Sequence, residues 1–172
     1  MNKLRVYDLC LIALLASLEY VIFISFSNIL YLELITFVIC LFAVSFKPQV
    51  TFLASLIFAL IMLVFNGVNF WNLMYLVIYP SYSLLVGSLR RWYQRYPWAL
   101  FITCGFLSFL TGQLLQLPFI LFSKKLTVLY LLIGLKTSLL QGAISMIACS
   151  LLFKPCYKVL TKMRSKHEKN ND

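Results

Sequence analysis

Apolar runs close to the length of a membrane-crossing helix recur along almost the whole chain: Val6 to Ile24, Leu30 to Phe46, Val50 to Phe65, Phe70 to Leu89, Trp98 to Phe122 and Leu126 to Phe153. Crossing ~30 Å of hydrocarbon takes about 20 helical residues, and only a helix satisfies its own backbone there, so the pattern predicts an all-α bundle of six transmembrane helices, the second and third somewhat short. A membrane β-barrel would need alternating polar and apolar residues, and "LIFALIMLVF" has none. With 62% hydrophobic and 12% charged residues, the chain cannot cover a soluble domain with a charged shell. The longest polar stretch is the tail after Phe153, so residues 1–172 read as one membrane domain with a basic tail from about 154. Lys3 and Arg5 before an apolar run, with Ser25-Phe26-Ser27 after it, loosely resemble a signal peptide, but the run is long enough to span and is expected to stay.

The net charge of +10 is unevenly placed. Lys3, Arg5, Lys47, Arg90, Arg91, Arg95, Lys154, Lys158, Lys162, Arg164, Lys166 and Lys169 fall at the termini or in the second and fourth loops, whereas Lys124, Lys125 and Lys136 are alone on the other side. That asymmetry puts both termini in the cytoplasm of a multi-pass cell-membrane protein. The basic tail reads as an anchor near anionic lipid, with nucleic acid not expected as a partner.

Catalysis finds few of the residues it needs. The lone histidine, His167, lies in the tail, as do Glu168 and Asp172, two of only five acids. A Ser-His-Asp set, a zinc-protease helix and a phosphate-binding loop all lack required members, so no enzyme activity and no cofactor are expected. Cys10, Cys40, Cys104, Cys149 and Cys156 are scattered without a CxxC pair, which leaves no metal site or disulfide framework. They read as small hydrophobes.

The polar residues inside the runs carry the functional expectation. A charge at the centre of a span costs about 2.5 to 3.5 kcal/mol, less near the interface. Lys136 would lie near the outer mouth, because a fifth helix ending near Leu117, before Pro118, and a sixth starting near Gly134 leave residues 119–133 as an apolar outer segment. Glu19, the only acid well inside a span, is expected at similar depth, so the two could pair, or each could face a ligand. Gly134, Ser138, Gln141 and Ser145 share one face of the sixth helix, with Lys136 roughly 140 to 200° away. Gln113 and Gln116, with Gly105, Ser108 and Gly112 below them, repeat that small and polar theme, which fits close packing or a site. The outer loops "SFSNILYLE" and "NGVNFWN" carry amides and aromatics, and Trp71 and Tyr75 beside the second of them could stack a planar ligand. Pro80 predicts a kink in the fourth span. In the first, Ala13 and Ser17 form a small-xxx-small pair that admits another helix.

Taken in order, "LCLIALLASLEYV", "NILYLELITFVICLFAVSFKPQ", "NGVNFWNLMYLVIYP" and "LLQGAISMIACSLLFKPCYKVL" resemble the substrate-binding S component of energy-coupling factor vitamin transporters over nearly the whole chain. The resemblance implies a vitamin-like molecule bound at the outer side, and delivery by reorientation within a complex containing a transmembrane coupling subunit and two ATPases. It makes Ala13 and Ser17 the docking face, and Glu19, Asn28, Asn69, Trp71, Tyr75, Gln113, Lys136 and Gln141 the substrate-binding candidates. Details around "NILYLELITF" and "LLFKPCYKVL" look most like the cobalamin-type branch, with pyridoxine-like, thiamine-precursor and queuine-like ligands as alternatives. Two other readings stay open: a structural or regulatory membrane protein, and a stand-alone proton-coupled carrier resting on Glu19.

Overall fold

The computed structural model of the chain describes residues 5–27, 29 and 33–169. Among these it is all-helical, with no strand. The elements are α1 (Val6–Ser27), α2 (Ile35–Ser45), α3 (Pro48–Asn66), α4 (Phe70–Ser88), α5 (Arg90–Arg95), α6 (Pro97–Leu114), a 3-10 turn (Leu117–Leu121) and α7 (Lys124–Lys169). Four segments are long and apolar enough to cross a membrane: Val6–Ser27, Pro48–Asn66, Pro97–Leu121 and Lys124–Met163. The fourth run forms a 19-residue helix, but three tyrosines, Pro80 and Asn72 make it less apolar than these.

The second run departs most from the expected layout. Its described helix has only 11 residues, about 16 Å, half the thickness of a hydrocarbon core. Every one of them is buried, and α2 touches all six other α-helices. A segment that is apolar on all sides can be enclosed on all sides, so α2 becomes the axis of the bundle. The turn between α2 and α3 is fastened by α5. Arg90 Nη1 donates to the Phe46 carbonyl at 3.0 Å and Gln94 Nε2 to the Val44 carbonyl at 3.1 Å, occupying acceptors at the C-terminus of α2 that no helical N–H can reach.

Around this axis the remaining helices bury one stripe each and expose apolar residues elsewhere. Helix α1 buries Ile12, Leu15, Ala16 and Glu19, at helical spacing, while Leu14, Leu18 and Val21 face outward. An exposed apolar surface of this kind is what a lipid solvent accepts. At one end of the bundle, Lys47 and Asp8 pair at 3.3 Å, joining the start of α1 to the α2–α3 turn beside α5. The opposite end carries the starts of α4 and α7 and the 3-10 turn, where Trp71 meets Phe119 with ring centroids 6.1 Å apart and Phe70 meets Phe122 at 5.5 Å.

Two boundaries bear on the sequence reading. Helix α6 ends at Leu114, and Pro118 falls in the 3-10 turn, as its fixed backbone angle and missing N–H dictate. The last helix starts at Lys124, not near Gly134, so residues 124–133 belong to α7 and only 119–121 of the expected outer segment lie in the 3-10 turn. Nothing in "KLTVLYLLIGL" breaks a helix, and Ser123, whose carbonyl accepts from the Thr127 N–H at 3.0 Å, begins it cleanly.

Candidate functional site

Because α2 begins only at Ile35, Glu33 and Leu34 stand ahead of its first turn, and Glu33 lies among α2, α6 and α7 instead of at the rim. Thr36 Oγ1 donates to Glu33 Oε1 at 2.6 Å, Ser108 Oγ of α6 donates to Glu33 Oε2, and Ser145 Oγ of α7 donates to the Glu33 carbonyl at 2.6 Å. Three hydroxyls from three helices thus hold one residue by its side chain and its backbone. The carboxylate also stands at the N-terminus of α2, where the helix dipole favours a negative charge.

Above this anchor lies a cavity of about 280 Å³. Glu33, Leu34 and Ile35 form its base, and Phe23 and Phe26 at the end of α1 form one wall. Tyr75 and Tyr79 of α4 form another, their rings stacked at 4.9 Å and 21°, with Phe23 meeting Tyr75 edge-on at 5.8 Å. Thr111 and Gly112 of α6, with Thr137 and Gln141 of α7, complete it with small and neutral polar groups. The cavity opens at the end of the bundle away from the Lys47–Asp8 pair.

Close approach of α6 and α7 shapes the polar wall. A methyl group added at Gly105 would come within 2.9 Å of the Gly142 carbonyl oxygen, and one at Gly142 within 2.8 Å of the Gly105 oxygen. Higher up, Gly112 lies directly under Ser138 Oγ, which accepts from Gln113 Nε2 at 2.9 Å. The shared face of Ser138, Gln141 and Ser145 read from the sequence is therefore partly a packing seam, with Gln141 at the level of the cavity.

Of the eight substrate-binding candidates, Tyr75 and Gln141 line the cavity. Gln113 is joined to Ser138. Asn69 caps α4: its Oδ1 accepts from the Asn72 N–H at 2.8 Å, while Asn72 Nδ2 donates to the Gly67 carbonyl at 2.7 Å. Trp71 is exposed beside Phe119. Asn28 lies outside the described residues, as does Lys3 of the charge pattern. Glu19 and Lys136 do not pair. Glu19 is fully buried, its Oε1 accepting from Ser55 Oγ of α3 at 3.3 Å and its Oε2 without a partner among the described residues, whereas Lys136 is exposed on α7. Depth along the membrane normal was the only coordinate the sequence supplied for that pair, and the two helices stand in different parts of the bundle. Ala13 and Ser17 are exposed on α1, with Ser17 Oγ bonded within the helix to the Ala13 carbonyl at 2.8 Å.

Glu33 is missing from the site expected from sequence because it closes the outer-loop stretch "SFSNILYLE", which overlaps the start of the second apolar run at Leu30. A signal was present: it is one of five acids, and it precedes Thr36 at the three-residue spacing that lets a hydroxyl and a carboxylate meet at a helix start.

The fold and cavity together define a class: all-helical among the described residues, with helices of membrane-crossing length, around a small tyrosine-walled cavity holding one half-buried carboxylate. Comparison of the chain with protein-family profiles, with curated proteins and with solved structures finds no match.

Proposed function

We propose that the chain is the substrate-capturing membrane subunit of an importer of the energy-coupling factor type. In this reading it spans the cell membrane six times with both termini in the cytoplasm, takes up a small vitamin-like molecule at the outer side, and relies on a transmembrane coupling subunit and two ATPases for energy. The observation that carries the reading is the cavity: an anchored carboxylate and stacked tyrosines at the end of the bundle that bears few charges, opposite the end where Lys47, Arg90, Arg91 and Arg95 gather. The exposed small-residue face at Ala13 and Ser17 supports docking of the coupling subunit on α1, since a close helix approach needs such a face. Ligand pockets for drug-sized molecules run from about 300 to 1,000 Å³, so a cavity at the bottom of that range favours pyridoxine-like, thiamine-precursor or queuine-like ligands over a corrin.

The purified full-length protein, without ATP or partners, is expected to bind one member of a vitamin panel, and mass spectrometry of the freshly purified protein is expected to find that molecule co-purified. Failure of the entire panel together with an empty preparation would count against the proposal. The α6–α7 seam favours one rival, a membrane protein whose polar residues only pack helices. For that rival, Tyr75→Ala and Gln141→Ala lower stability; for a capture subunit they abolish uptake at normal folding. Uptake that persists in cells lacking any coupling ATPase would favour the stand-alone carrier instead.

A further inference from the structure

Every charged residue near the cavity can be enumerated. The wall contains one ionisable carboxylate, Glu33, and no lysine, arginine or histidine. The sequence supports this more broadly, because residues 6–46, 48–89, 96–123 and 137–153 contain no basic side chain at all. The cations at this end of the bundle are Lys124, Lys125 and Lys136, all exposed, and Lys136 is turned away from the face of α7 that carries Ser138 and Gln141. Glu33 therefore has no basic side chain to neutralise it. The N-terminus of α2 supplies only about half an elementary charge, so the ionised form of Glu33 is the state that a cationic occupant would stabilise.

The hydrogen bonding of Glu33 has the same consequence. An ionised carboxylate offers about four acceptor positions. Thr36 and Ser108 occupy one on each oxygen, and the Ser145 bond to the backbone carbonyl fixes where the group stands. Among the described residues, no hydroxyl or amide of the cavity wall bonds to the remaining acceptor positions, which leaves them to a donor inside the cavity. The wall itself suits a positive group, because the face of an aromatic ring is its negative part and draws a cation to within about 6 Å.

We infer that the occupant is a small planar organic cation, a ring bearing a protonated amine or a positively charged ring nitrogen, with its charge on the Glu33 carboxylate and its ring against Tyr75. This rests on the reading of the cavity as a capture site and adds the chemical class of what is captured. Thr111, Thr137 and Gln141, which can each donate or accept, are placed to recognise hydroxyl or nitrogen substituents on that ring. Ionised Glu33 would repel a carboxylate or phosphate ligand.

Three isosteric probes separate the outcomes: 2-phenylethylamine, 2-phenylethanol and phenylacetate, titrated calorimetrically into the full-length protein in detergent. The amine is expected to bind at least about tenfold more tightly than the alcohol, with the acid weakest. Glu33→Gln is expected to weaken amine binding by about 30-fold or more and to leave the alcohol unchanged, because truncating one partner of a desolvated charge pair is costly. The inference is overturned if the alcohol or acid matches the amine, if no amine binding is seen, or if Glu33→Gln leaves the preference intact. Should that variant fail to fold, the probe series on the unmodified protein still decides. Tight binding of the acid would remove the charge assignment and keep the capture site. An empty preparation to which neither the probes nor the vitamin panel bind would remove both.

Discussion

Buried side chains without partners make the clearest residue-level predictions. Ser83 Oγ is fully buried in α4 and has no hydrogen-bond partner among the described residues. An unsatisfied buried hydroxyl costs about 1–3 kcal/mol, so Ser83→Ala is expected to raise the thermal unfolding midpoint in detergent, against the usual sign for a core substitution. Glu19 presents the same situation with a larger group. Glu19→Gln keeps a partner for Ser55, whose hydroxyl can donate or accept, and removes a buried acid without changing its shape. It is expected to leave probe binding unaltered and to stabilise by up to about 2 kcal/mol, while Glu19→Ala, which opens a void, destabilises by about 2–4 kcal/mol. Loss of binding in Glu19→Gln would return Glu19 to the site. Much of this was legible beforehand in part only: an acid inside a greasy helix is conspicuous in sequence, but what it faces depends on helix rotation and neighbours. Tyr75 and Gln141, which line the cavity, stood out in sequence because one is an aromatic beside an amide-rich loop and the other a glutamine inside a span. Glu33 was hidden by a helix boundary, the feature that apolar patterning resolves least well.

At the level of elements, two glycines of α7 differ in what they do. Gly142 meets the backbone of Gly105 across the seam, whereas a methyl group at Gly134 would find nothing nearer than about 3.9 Å, the side-chain nitrogen of Gln116. Gly142→Ala is thus expected to push α6 and α7 apart and cost about 1–3 kcal/mol, and Gly134→Ala to be neutral or stabilising by about 0.5–1 kcal/mol through helix propensity. Thermal melts of the two variants side by side check this, and equal effects would mean that the seam tolerates widening. The sequence displayed the small-residue faces of both helices but not their register, which depends on which glycine meets which. The residue count from Trp98 put the end of α6 near Leu117, beyond its observed end at Leu114, with Pro118 in the 3-10 turn that follows. Apolar patterning overextended the second helix, because the one mark of its start, Glu33 three residues before Thr36, lies inside a run that is otherwise nearly all apolar.

For the whole molecule, the strongest expectation concerns orientation. Helix α7 has 46 residues, about 69 Å, more than twice the hydrocarbon thickness, so it projects from the membrane on at least one side. In a background without the five native cysteines, Lys136→Cys is expected to react with a membrane-impermeant maleimide from outside intact cells, and Lys158→Cys only after lysis. Reaction of both from the same side would refute the charge-based topology. The short α2 has its own bearing on how such a molecule works. Its eleven enclosed residues, all apolar but Thr36 and Ser45, are the floor of a blind well that stops the cavity at Glu33. For the capture subunit proposed above, release to the far side would require either withdrawing that stopper or tipping the entire vessel in the bilayer, and a stopper gripped by every neighbouring helix would make tipping the easier motion.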